Sequence, residues 1–248
     1  MDTWEQPGHD VRLEWGAEGV TALGGACAVL VVVDVLSFCT TTDLVAARGG
    51  RVLPVRWRDE RGVAEARAEG AVVAGEAAWT LRPSSVTDIP SGTLLALPSP
   101  NGATLTAAAA ATGAHVLAGC LRNASAVAAK ALELAAGRPV GVIPAGERWG
   151  IDLLGEGKHF GPLRPCVEDQ LGAGAIAAAL ARHGRTLSAE AALAAVAYAG
   201  TDLSHALRTC SSGRELTAAG HPGDVELAAQ TDVSTTAPTL RGKTLEAE

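Results

Sequence analysis

The chain has 248 residues, 48% of them hydrophobic, with 20 Lys+Arg against 27 Asp+Glu for a net charge of −7. That length suits one large domain or two intimately joined halves, since domains run to roughly 150 residues. The apolar fraction excludes disorder, and the acidic balance argues against a general nucleic-acid binder, which needs a basic patch.

In chain order, Val11 to Trp15 reads as a short strand, and Ala28 to Val33 is a continuous β-branched run of the kind buried on both faces of a sheet. It ends at Asp34, and a helix is expected from Thr41 to Arg48, stopped by Gly49-Gly50. Arg51 to Val55 is a strand, Asp59 to Glu69 a helix and Ala71 to Ala74 a strand; Thr93 to Leu97, His115 to Ala118 and Val140 to Ile143 repeat the strand pattern. Helices are expected at Ala103 to Ala111 and Ala124 to Ala135, then at Val167 to His183, Ser188 to Ala199 and Asp202 to Thr209. Strands alternating with helices imply βαβ units and a largely parallel or mixed sheet covered on both faces, a three-layer α/β/α fold. Leu81 to Gly92 and Glu147 to Pro165 are the looser segments.

With 5 Trp, 1 Tyr and 2 Phe, the core must be built from Ala, Val and Leu. The 5 cysteines show no C-x-x-C spacing, which excludes a zinc ribbon or thioredoxin-like motif. An odd number of widely spaced thiols suits a reducing compartment. The first residues, Met1-Asp2-Thr3-Trp4-Glu5, lack a signal-peptide pattern, and no apolar run is long enough to span a bilayer. The expectation is a cytoplasmic protein with no membrane partner, and a homodimer on general grounds.

Three times a strand ends and a short polar loop opens a helix: Asp34 to Thr42, Ser99 to Thr104 and Arg122 to Ser125. In open α/β sheets ligands sit at the carboxyl ends of strands, where free helix N–H groups favour anions. Asn101 and Asn123 stand just before helices and are equally the residues that cap them. No P-loop, nucleophile elbow or D-x-D phosphatase motif is present, and Gly172-Ala173-Gly174 lies in a helical pattern, where it reads as close helix packing. Carboxylates remain. Asp34 closes an apolar strand, and an ionised group there is costly unless paired or bound to a cation. Glu168 and Asp169 open a helix, where they either complement its dipole or, with Asp34, bind a hard cation such as Mg²⁺. Glu76, just after the Ala71 to Ala74 strand, is a further candidate; His159 and His221 read as loop residues at the surface.

At these positions the sequence resembles the 2-phosphosulfolactate phosphatases. Val31-Val32-Val33-Asp34-Val35-Leu36-Ser37-Phe38-Cys39-Thr40-Thr41-Thr42 looks like their V-V-I-D-V-L-R-A-S-T-T signature. Gly75-Glu76, Ser99-Pro100-Asn101-Gly102-Ala103, Cys120 to Ala126, Val142 to Gly146, Val167-Glu168-Asp169, Ser212 to Leu216 and Gly220 to Asp224 follow in the family's order, from roughly Val11 to Pro238. The resemblance implies a fold of two related halves, here roughly 1–112 and 113–248. It also implies a Mg²⁺-dependent phosphatase hydrolysing a small anionic phosphate ester of a 2-hydroxy acid. By the same resemblance Asp34, Glu168 and Asp169 serve the metal or the attacking water. Ser37, Thr40, Thr41, Glu76, Asn101, Gly102, Asn123 and Ser125 are then the substrate-binding candidates.

Two family arginines are replaced: the one after D-V-L is Ser37, and G-E-R-x-G becomes Gly75-Glu76-Ala77-Ala78-Trp79. Neither Ser nor Ala reproduces a bidentate guanidinium contact. Arg122 and Arg148, on neighbouring predicted loops, are either the compensating cations or plain solvated arginines. The alternative function is a non-catalytic phospho-metabolite-binding protein that keeps the fold.

Overall fold

The computed structural model describes residues 3–76, 78–149 and 161–247. In chain order the strands and helices are β1 (Val11–Leu13), α1 (Gly16–Leu23), β2 (Val29–Val33), α2 (Phe38–Ala47), β3 (Arg51–Val55), α3 (Glu60–Ala68), β4 (Val72–Val73), β5 (Leu94–Pro98), α4 (Gly102–Ala110), β6 (His115–Gly119), α5 (Ala124–Ala135) and β7 (Val140–Pro144). There follow β8 (Glu147–Arg148), β9 (Leu163–Arg164), α6 (Val167–Arg182), α7 (Ala189–Ala199), α8 (Leu203–Thr209), α9 (Ser211–Ala218), α10 (Pro222–Ala228), β10 (Thr239–Arg241) and β11 (Thr244–Glu246).

Nine strands form one sheet in the order β1-β7-β2-β6-β10-β11-β3-β5-β4. Two parallel blocks, β1-β7-β2-β6 and β3-β5-β4, are joined by the antiparallel hairpin β10-β11, which pairs Thr239 with Leu117 on one side and Leu245 with Val52 on the other. The stretches 1–112 and 113–248 therefore share one sheet, with β2 lying between β6 and β7. β8 and β9 make a separate antiparallel pair.

The period of two along β2 explains the layering. Val29, Val31 and Val33 face α5, α6 and α7, whereas Leu30 and Val32 face α1, α2 and α4. All five are fully buried, and each apolar side chain taken from water contributes roughly 1.5–3 kcal/mol. A smaller cluster of Leu53, Val55, Val73 and Ala96 packs on Ala66 of α3. The predicted α/β/α layers and mostly parallel sheet are present. The scarcity of aromatics is met by close approach: a Cβ on Gly174 would lie 2.1 Å from the Ala194 carbonyl oxygen of α7, and one on Gly172 would strike Val35. That pair of glycines does serve helix packing.

Three departures from expectation have clear causes. Helix α2 begins at Phe38 rather than Thr41, because Asp34 caps the Phe38 N–H and the Thr40 and Thr42 hydroxyls donate to nearby carbonyls. Helices α1, α9 and α10, each only 7 or 8 residues long, carry too few periods to stand out in sequence. The tail around Gly242-Lys243 is a hairpin turn inside the sheet, held by long-range pairing. Among the described residues no helix is long and apolar enough to cross a membrane.

Candidate active site

The β3-β5-β4 block runs antiparallel to the β1-β7-β2-β6 block across the hairpin, and the segments that follow β2, β5 and β7 meet at a cleft of about 560 Å³. Its volume lies in the ordinary range for a small-molecule site. Asp34, Ser37, Asn101 and Glu147 line it from the segments after β2, β5 and β7; Arg58 and Arg82 line it from those after β3 and β4, and Ser212 and His221 from the α8–α10 region.

Asp34 is 6% exposed and rigidly held. Its Oδ1 accepts from the Phe38 N–H at 3.2 Å and its Oδ2 from the Gly102 N–H at 2.9 Å. The carboxylate thus occupies the position where an anion binds at the starts of α2 and α4. Gly102 is required for that approach: a Cβ there would stand 2.4 Å from the Phe38 ring and 2.7 Å from Asp34 Oδ2. Burial, then the charge of Glu147, pushes the Asp34 carboxyl up to about 7 against the pull of its two amide donors.

Asp169 stands behind Asp34 and joins two loops. Its Oδ1 accepts from the Val35 N–H and its Oδ2 from the Gly146 N–H, both at 2.8 Å. Burial first, then the charges of Asp34 and Glu168, holds its carboxyl well above the usual range. Glu168, 3% exposed, lies toward the α8–α9 junction, where burial and then its charge push the Cys210 thiol up to about 12. Asp34, Glu147, Glu168 and Asp169 thus form a cluster of mutually repelling carboxyls, of which Asp34 and Glu147 line the cleft.

The other candidates divide. Ser37 and Asn101 line the cleft, and Asn101 spends no side-chain bond on capping α4. Gly102 touches the site through its N–H. Thr40 and Thr41 are fully buried, their hydroxyls donating to the carbonyls of Val35 and Leu81. Asn123 Oδ1 accepts from the Cys120 N–H, bracing the turn before α5. Ser125 is bonded to Asp232 through both N–H and hydroxyl, away from the cleft. Glu76 sits at the surface in an ion pair with Arg67.

Arg122, read as either a compensating cation or a solvated arginine, is neither. Its Nε donates to fully buried Asp43 at 2.9 Å, and Asp43 also accepts from Ser234 and Thr236. A buried guanidinium with a buried carboxylate partner is a structural element and not a substrate ligand. Arg148 lies on β8 outside the cleft lining; Ala77 and His159 lie outside the described residues. Among the described residues the cations that line the cleft are Arg58 and Arg82, which sequence reasoning missed because they sit in a surface loop and a loose segment with no motif around them. His221, read as a surface residue, also lines it, within 2.8 Å of Arg82.

Among the described residues no group of three or more His, Cys, Asp or Glu is drawn close enough to enclose a metal. The carboxyl cluster nonetheless suits a hard cation that keeps part of its water shell, as Mg²⁺ does. No curated protein matches the chain. A family model described as 2-phosphosulpholactate phosphatase matches residues 22–243 of the 248. The chain, with a small-molecule-sized cleft after its strands and the buried carboxylate Asp34 in its lining, belongs to the 2-phosphosulpholactate phosphatase family of phosphoric monoester hydrolases.

Proposed function

We propose that the protein is a Mg²⁺-dependent phosphatase that hydrolyses a small phosphorylated 2-hydroxy acid, 2-phosphosulfolactate or a related ester. The observation that carries this reading is Asp34, a buried carboxylate aimed into the cleft and held by two backbone amides beside Glu147 and Glu168. Such mutual repulsion is relieved when a divalent cation is bound. Asp34 and Glu168 would hold the ion, with Asp169 fixing the loops that carry them. An ion held there would supply charge neutralisation for phosphoryl oxygens.

The remaining work falls to the chain's own side chains. Asn101 donates to a phosphoryl oxygen at the start of α4. Glu147 orients the attacking water and takes its proton. Water adds to phosphorus, the bond to the ester oxygen breaks, and that oxygen leaves as the hydroxyl of the 2-hydroxy acid after taking a proton from solvent water.

Phosphate release from a panel of phosphorylated 2-hydroxy acids, with Mg²⁺ and with a chelator, tests the reading. Chelator-sensitive release is expected from at least one member, with kcat falling about a hundredfold or more in Asp34→Asn. No chelator-sensitive release from any member sinks it. Ser37 and Ala77, standing where the resemblance expects arginines, favour a second reading, a binding protein without turnover. Thermal stabilisation by these phospho-acids with no phosphate released would select it.

A further inference from the structure

We infer that Arg82 and Ser212 form a second anion subsite, which takes the carboxylate of a ligand whose phosphate lies by Asp34; this rests on the reading of the cleft as a phospho-acid site. Ser212 is 8% exposed, lines the cleft, and its Oγ has no hydrogen-bond partner. A buried hydroxyl left unsatisfied is unfavourable, so its persistence beside a cavity points to a ligand that completes it.

Arg82 supplies the charge. Its hydrogen bonds go to neutral partners: its N–H and Nε donate to Thr80 Oγ1, at 3.2 and 3.3 Å, and its Nη1 lies 2.8 Å from His221 Nδ1. An arginine only donates, so the ring nitrogen facing it is an acceptor, and His221 is a positioning residue that orients the guanidinium. A half-buried guanidinium whose protein partners carry no charge keeps its attraction for an anion, and its planar fork matches a carboxylate. Asp34 and Glu147 line the cleft as acids suited to a cation and phosphate, and Arg82 and Ser212 add a guanidinium and a hydroxyl to a lining that also holds Glu215 of α9.

The test compares 2-phospholactate with its carboxylate methyl ester, which keeps the phosphate and loses the second charge. Calorimetric Kd and steady-state KM and kcat are measured for both ligands on the full chain. Wild-type protein is expected to prefer the free acid at least tenfold. Arg82→Ala and Ser212→Ala should reduce that preference, Arg82→Ala to near unity, through Kd and KM more than kcat. His221→Gln, which retains an acceptor, should keep more of the preference than His221→Ala. Melting temperatures, with Arg82→Lys as a conservative second variant, identify any variant that fails to fold. A binding preference lost in Arg82→Ala supports the subsite even if no phosphate is released, so the phosphatase reading then fails alone. Hydrolysis with a preference unchanged by Arg82→Ala or Arg82→Lys overturns the subsite and leaves the phosphatase reading standing. A wild type without preference overturns it too.

Discussion

The two parallel blocks of the sheet supply the cleft with opposite kinds of chemistry. The β1-β7-β2-β6 block contributes Asp34 and Glu147, with Glu168 and Asp169 behind them. The β3-β5-β4 block contributes Arg58 and Arg82 on looser connections, of which Arg58 is exposed and Arg82 half-buried. Asp34 and Asp169 together accept four backbone N–H bonds, two each, so moving either carboxylate disturbs two loop or helix starts. Arg82 is held by three neutral side-chain atoms of Thr80 and His221. Chemistry that needs fixed geometry sits where the backbone enforces it, and recognition sits where single substitutions are cheap.

The largest effect separating the blocks is expected at Arg122. Removing it leaves Asp43 charged, buried and short of its cation, so Arg122→Ala should lose about 3–5 kcal/mol in denaturant unfolding. A loss below 1 kcal/mol would show that water reaches Asp43 freely. Next is Gly102→Ala, whose new Cβ meets both the Phe38 ring and Asp34 Oδ2. Overpacking of this kind costs about 1–3 kcal/mol, and turnover should fall with it because Asp34 must shift. Unchanged melting and kinetics would mean that α4 can slide without disturbing Asp34.

The pH dependence is smaller per step. Asp34 and Asp169 have carboxyls raised above their ordinary value of 3.8, so the folded state binds their protons more tightly than the unfolded chain. Their contribution is full below about pH 4 and is lost as pH rises through about 7 for Asp34, at up to about 1.4 kcal/mol per unit per group. Without divalent cation, wild type should therefore lose stability relative to Asp34→Asn between about pH 4 and 7, and added Mg²⁺ should recover it. A constant difference between the two melting curves contradicts the raised carboxyl. The smallest effect is expected on the other block, where Arg67→Ala removes an exposed ion pair with Glu76. Unfolding should register less than about 1 kcal/mol; a larger loss would show that this edge is as tightly coupled as the acidic one.

Legibility in the sequence followed the range of the interactions involved. β3 and α5 lie where their patterns predict, Arg51–Val55 and Ala124–Ala135, because hydrophobic period and helix propensity are local. Asp34 stood out because a charge ending an apolar strand is costly wherever the chain goes next. Asn123 and Ser125 carried the same loop signal as Asn101, yet only Asn101 lines the cleft. The loop after β6 turns its polar groups to Cys120 and Asp232 instead. Arg82 and Ser212, 130 residues apart in number, gave no joint signal.

By itself the sequence determined the strand and helix pattern, the α/β class, the carboxylate that ends β2 and the motif order that marks the family. These rest on contacts within a few residues or on the cost of a charge in an apolar run. Only the tertiary structure decided that a C-terminal hairpin joins two parallel blocks, that Arg122 serves Asp43, and that Arg58 and Arg82 line the cleft. The reason is physical: strand pairing, ion pairing and cleft lining depend on which distant segments fold side by side, and a single chain of letters carries no record of that proximity.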